Sequence, residues 1–163
     1  MVGLSQTTGY AVAALTYLGR YPDRRVLGRE IAEGADVPAP YLSKLLHAMV
    51  GAGLVNSKRG YRGGFRLERD PDQISLLDIV KAVEGEKGVD VCLLGRSECS
   101  DDRACPAHQF WAVERGRIER KLARISIAET SAFEQRRERA GGGRGSARGP
   151  RRQPTKTKTK TGR

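Results

Sequence analysis

The stretch from Val26 to Leu67, VLGREIAEGADVPAPYLSKLLHAMVGAGLVNSKRGYRGGFRL, leaves this chain few ways to fold. Leu27 and Ile31 are spaced for one face of a short helix, Gly34-Ala35-Asp36-Val37 reads as a tight turn, and Leu42, Leu45, Leu46 and Met49 resume at helical spacing. Two short helices joined in this way cannot bury their apolar faces alone. Ala32, Val37, Leu42 and Leu45 are therefore predicted to form a shared seam, with the small Ala32 letting the helices approach. Asp36 stands where such turns often carry glycine, and its short polar side chain tolerates the left-handed conformation. Pro40, Tyr41, Ser43, Lys44 and His47 are left on or near the outer face.

After Gly53 the pattern LVNSKRGYRGGFRL predicts two strands around a glycine-rich turn, a hairpin wing. Lys58, Arg59, Arg62 and Arg66 crowd this hairpin, and no acidic residue lies between Lys58 and Leu67. Such a surface suits a groove walled by phosphates. The expected fold is mainly α with a small β-hairpin: a winged helix-turn-helix. In that geometry Pro40, Tyr41, Ser43 and Lys44 would face base edges in a major groove. Lys58, Arg59, Gly60, Arg62, Gly63 and Gly64 would bring the wing into a minor groove, where negative potential is concentrated and glycines allow close backbone approach.

Charge is unevenly placed along the 163 residues. Residues 140–163 carry eight of the basic side chains and no acid, so they hold +8 of the formal +11. The remainder is only mildly basic, and its cations matter by position. No apolar run approaches the roughly 20 residues needed to span a bilayer, and the start MVGLSQTTGY lacks the pattern of a signal peptide. A cytoplasmic protein is expected, with no membrane partner. An odd number of cysteines, three, then argues against a disulfide framework and for metal or redox chemistry.

Before the helix-turn-helix, the segment Thr7 to Leu18 places Tyr10, Ala11, Ala14, Leu15 and Leu18 on one helical face, with Thr7 or Thr8 as the expected N-cap. After the wing, Ser75-Leu76-Leu77-Asp78 predicts a capping box opening a helix that faces Leu76, Ile79, Val80 and Val83 inward and closes at Gly85. Periodicity then vanishes until about Ala107. Trp111, Ile118, Leu122 and Ile125 follow as a narrow apolar stripe on a helix loaded with charge, a pattern that fits a two-helix dimer seam. Ser126-Ile127-Ala128-Glu129 predicts a second capping box and a short helix to about Arg139. The expected organisation is a DNA-binding domain at 1–85, a cysteine-bearing loop at 86–106, a dimerisation helix with its short successor at 107–139, and a disordered basic tail at 140–163.

Cys92, Cys99, Cys105 and His108 give the spacing C-x6-C-x5-C-x2-H. Three thiolates and an imidazole can hold zinc or an iron–sulfur cluster. Structural zinc sites favour tighter knuckles, and a [2Fe-2S] or [4Fe-4S] cluster suits the wider spread better. Zinc, or thiols that bind nothing, remain open on spacing alone. A thiol enzyme using Cys105 and His108 is disfavoured, because no oxyanion pattern or third orienting group accompanies them.

Several separated motifs occur in register: Leu4-Ser5-x4-Tyr10-Ala11-Val12, Tyr41-Leu42-x2-Leu45-Leu46, Gly53-Leu54-Val55-x3-Arg59-Gly60 running into Gly63-Gly64-Phe65, and the triple cysteine ending Cys105-x2-His108 before Trp111. Over roughly residues 3 to 130 the chain resembles the Rrf-type (IscR/NsrR-like) winged-helix transcription regulators. The resemblance implies a homodimer, a long C-terminal dimerisation helix, double-stranded operator DNA as ligand, and an iron–sulfur cluster where the three cysteines are present. Two departures bear on the site. Six residues separate the first two cysteines where five are expected from the iron–sulfur-assembly regulators. Thr8 stands where the similar nitric-oxide sensors carry an aspartate able to ligate iron, which favours His108 as the fourth ligand. The function expected is a homodimeric regulator, in the repressing sense, whose operator binding answers to cluster state under redox, nitric oxide or iron–sulfur status. The alternative is a constitutive DNA-binding regulator with structural zinc or redox-active thiols at the same cysteines.

Overall fold

The computed structural model describes residues 4–85, 92–95, 100, 102 and 105–141. Its first helix, α1 (Gln6–Gly19), turns Ala11, Ala14, Leu15 and Leu18 inward, and everything else packs around that face. The N-cap is Ser5, whose hydroxyl accepts from the Thr8 amide at 3.1 Å, and not Thr7 or Thr8. Thr8 is instead fully buried and donates through its own hydroxyl to Glu84 at 2.5 Å. Ser5 also donates to Glu84. The first turn of α1 holds no acidic residue, so Glu84 supplies the negative charge that a helix N-terminus favours.

The helix-turn-helix comprises α2 (Gly28–Gly34) and α3 (Ala39–Gly51). Asp36 takes the left-handed conformation at φ +52°, and Val37 behind it is buried. Ile31, Leu42, Leu45, Leu46 and Met49 join the core, with Ala32 half-buried against it. Leu27 departs from the expected inward face: it is the N-cap of α2 and 46% exposed, because the helix starts one residue later than its apolar spacing suggested. Pro40 falls in the first turn of α3, where its missing amide costs nothing.

Strands β1 (Val55–Lys58) and β2 (Gly64–Leu67) pair antiparallel, with Val55 opposite Leu67 and Lys58 opposite Gly64. Val26 adds an isolated antiparallel rung to β2, exchanging two backbone hydrogen bonds with Phe65 at 2.8 and 2.9 Å. This rung sits close against the wing: a Cβ on Gly64, at φ +131°, would lie 2.7 Å from the Val26 carbonyl oxygen. A single 3-10 turn at Pro71–Gln73 leads into α4 (Leu76–Glu84), whose capping box between Ser75 and Asp78 is present in both directions.

The C-terminal helices α5 (His108–Arg124) and α6 (Ile127–Ala140) meet at a joint stitched to the start of α4. The Leu76 amide donates to Ile125 and the Ile127 amide to Ile74, each at 2.9 Å. Ile125 lies just past the end of α5, so the expected stripe on that helix stops at Leu122. Although α6 is richly charged, it is anchored. Ile127 is fully buried in the main core, and Ser131 donates to the Thr16 carbonyl at 2.9 Å. A Cβ on Gly19 would lie 2.5 Å from the Ser131 Oγ and 2.8 Å from the Ile127 Cγ2, so α1 and α6 touch where α1 has no side chain.

The cap of α6 gives a direct test of this anchoring. Ser126 accepts from the Glu129 amide at 3.2 Å and the Glu129 carboxylate accepts from the Ser126 amide at 2.8 Å. Ser126→Ala is expected to cost about 0.5–2 kcal/mol, read as a lowered midpoint in urea. An unchanged midpoint would mean that α6 lies outside the cooperative unit.

Candidate nucleic-acid interface and cysteine segment

Two exposed surfaces flank the buried seam. On α3, Pro40, Tyr41, Ser43, Lys44 and His47 all face solvent. Tyr41 is 57% exposed, and its ring stands 6.0 Å from that of Tyr10 on α1, which backs it on the protein side. On the wing, Lys58, Arg59, Gly60, Arg62 and Arg66 are exposed. Gly60 holds φ +82°, and Gly63 closes the turn with its amide donating to the Gly60 carbonyl at 2.8 Å. A side chain on Gly63 would drive its Cβ to 2.5 Å from the Lys58 carbonyl oxygen. Each glycine therefore shapes the tip, while the arginines between them carry its charge.

Two arginines near the wing act differently from those at its tip. Arg25 lies before the motif and donates from Nη1 to the carbonyls of Asn56 at 3.3 Å and Gly64 at 3.2 Å, holding both strands from behind. Its position in a loop of no periodicity gave no sequence signal. Arg24 pairs with Glu30 and lies 4.3 Å over the ring of Tyr21. Its hydrogen bond holds the Glu30 carboxyl below the usual range, so Arg24 is spent on its own fold.

Of the cysteine set, Cys92 and Cys105 are half-buried, and Cys99 lies outside the described residues, as do most of residues 86–104 and the basic tail after Gly141. His108 is 7% exposed at the first position of α5, and its amide donates to the Cys105 carbonyl at 2.8 Å. One turn of chain thus joins a thiol to a buried imidazole. Beside Cys99, the Oγ of Ser100 is shut off from solvent with no hydrogen-bond partner among the described residues. No helix among the described residues is long and apolar enough to cross a membrane.

Comparison with known proteins agrees with this architecture. The family model described as Rrf2, iron-dependent transcriptional regulator, matches residues 4–132. A protein of Aquifex aeolicus (strain VF5), named among the HTH-type transcriptional regulators, is 34% identical over 134 residues, which cover 81% of this chain and 93% of that protein. Among solved structures, IscR of T. potens superposes with a TM-score of 0.65 at 28% identity, over 88% of this chain and 94% of its own. CymR, the global cysteine regulator of B. subtilis, shares the fold with a TM-score of 0.68 at 23% identity, over 82% of this chain and 98% of its own. The family match runs from the start of α1 into α6, so the chain belongs to the Rrf2 family and is a DNA-binding transcription regulator, not an enzyme.

Proposed function

We propose that two copies of this chain form an operator-binding repressor whose grip on DNA is set by an iron–sulfur cluster on Cys92, Cys99 and Cys105, with His108 as the fourth ligand. The observation that carries this reading is the buried His108 one turn beyond Cys105. The donor types suit the group, since thiolates balance the charge of iron, but among the described residues no three such donors converge on one point. A bound cluster would supply reversible redox and ligand-exchange chemistry, and the imidazole, which brings no charge, would be its most exchangeable ligand. The chain's own part is mechanical. Glu84, at the end of α4, is tied to Ser5 and Thr8, while His108 opens α5, so the cysteine segment is bounded at both ends by the folded body.

Dimerisation through α5 is supported by what that helix leaves uncovered. Its buried residues, His108 and Trp111, both lie in the first turn, whereas Ile118 and Leu122 stay half-exposed and Phe110 and Val113 are more than half exposed. Away from α5, which it meets only at Ile125 just past the helix end, an open groove of about 1260 Å³ between α1 and α6 is lined by Gly9, Val12 and Ala13 of α1 and Phe133 of α6. A second copy would cover such surfaces. Pairing two recognition helices fixes the spacing of two half-sites, and cluster state biases that spacing.

Anaerobic purification tests the cofactor. Brown protein containing iron and sulfide is the expected result, and colourless protein with stoichiometric zinc would replace this reading by a constitutive regulator with a structural metal. For the DNA surface, Arg59→Ala is expected to cost about 1–3 kcal/mol in operator binding while leaving the fold and dimer intact. An unchanged affinity would remove Arg59 from the groove. Ser43→Ala and Lys44→Ala should alter the preferred sequence; a loss equal on all sequences would assign them to phosphates.

A further inference from the structure

The tip of the wing carries one residue that the basic pattern does not account for. Tyr61 lies between Arg59 and Arg62 and is 87% exposed, more than any other large apolar side chain described. Its one ring contact among the described residues is the Arg62 guanidinium, 5.5 Å from the ring centroid. Arg62 itself sits at φ +54°, a left-handed conformation that a long side chain adopts at some cost and that glycine would adopt freely. Strained backbone and a bare aromatic ring at the end of a rigid hairpin are features that free folding does not select. They are expected where a surface meets a ligand.

We propose that Tyr61 enters the minor groove and reads it, donating its phenolic hydroxyl to the acceptors that A·T pairs present on the groove floor, while Arg62 leaves the ring for the phosphate wall. This rests on the reading of the wing as a minor-groove element. The groove of B-form DNA is about 6 Å wide. A ring with a guanidinium 5.5 Å above its centre is too thick for that space, whereas a ring alone fits edge-on. Docking must therefore separate the pair. The guanidinium then has phosphates on both sides, and the ring lies along the sugars with its hydroxyl directed inward. A·T pairs show only acceptors there, N3 of adenine and O2 of thymine, whereas G·C pairs add the amino group of guanine, a donor that opposes the phenol's own. Tyr61 would thus supply sequence preference, and Arg62 would supply sequence-independent attraction.

These roles separate in one experiment. Full-length wild-type protein is used to select duplexes from a random-sequence pool, and binding of the selected duplexes is then measured against salt for wild type, Tyr61→Phe and Arg62→Gly. Tyr61→Phe, which removes only the hydroxyl from an exposed position, is expected to weaken binding to A·T-bearing duplexes by about 3- to 10-fold and to narrow their advantage over G·C substitutions at the wing-facing steps. Arg62→Gly is expected to weaken all duplexes by one common factor, to lower the slope of log affinity against log salt by about 1, and to leave the melting temperature unchanged or raised. Retention of both affinity and A·T preference by Tyr61→Phe overturns the reading role. A changed preference, or an unchanged salt slope, in Arg62→Gly overturns the phosphate role. Failure of the wild type to enrich any duplex, or enrichment with no wing-facing preference that Arg59→Ala disturbs, would strike instead at the minor-groove reading beneath the proposal.

Discussion

Leu122→Asp is expected to turn the proposed dimer into a monomer. Leu122 lies one turn beyond Ile118 on α5 and is half-exposed in the single chain, so the side chain is available to a partner helix. In a two-fold seam the substitution appears twice, setting two carboxylates into an apolar contact with no cation opposite them. Burying an unpaired charge costs several kcal/mol. At about 1.4 kcal/mol per factor of ten, dimer dissociation should rise on the order of a thousandfold or more. Sedimentation should show a monomer that retains the helical signal of the wild type, and operator affinity should fall with it, because one half-site holds poorly alone. A variant that stays dimeric and binds its operator normally would put Leu122 against its own domain and the seam elsewhere.

The second large effect concerns the thiols. Cys92→Ala, Cys99→Ala and Cys105→Ala should each abolish the visible chromophore of anaerobically purified protein, since each thiolate supplies both a bond and a charge that alanine cannot replace. His108→Ala should retain a cluster with a shortened lifetime or an altered spectrum, because an imidazole contributes no charge and can be exchanged. Cys92 and Cys105 are only half-buried and lie outside the hydrophobic core, so Cys92→Ala and Cys105→Ala should unfold at nearly the urea midpoint of cluster-free wild-type protein. A triple cysteine variant with full iron content would dispose of the whole site. An unaltered spectrum and lifetime in His108→Ala would remove the histidine alone.

The recognition unit was legible because its signals are local. Apolar spacing fixed Ile31 and the inner face of α3, Asp36 gave the turn its left-handed residue, and Ser75 and Ser126 announced helix starts by the carboxylate three positions on. Ser5 escaped notice because position 8 is threonine, so no capping box marked it, and its hydroxyl serves a carboxylate from the far end of α4. The docking of α6 escaped for a related reason. Its contact with α1 is built from Ile127, Ser131, Thr130 and Thr16 beside Gly19, and small polar residues leave no apolar period to count. Val26 as an isolated rung on β2 and Arg25 as a brace depend on chain segments that meet only after folding. The cysteines were visible as a spacing, but a spacing names ligands without placing them, and Cys99 falls outside the described residues.

The bare stretch of α1 at Gly19 works as a gauge block. One face of this helix supports α3, and its end receives α6 with no room for a methyl group between them. A helix advances about 1.5 Å per residue, and half-sites on DNA repeat at about 34 Å. A loose joint between the DNA-reading helix and the helices proposed to pair two copies would smear the distance between two readers over a sizeable part of that repeat. Close packing at Gly19 leaves no such play, so in the proposed dimer a small displacement at the root of α5 would reach the DNA as a change in calibrated length instead of being absorbed as slack.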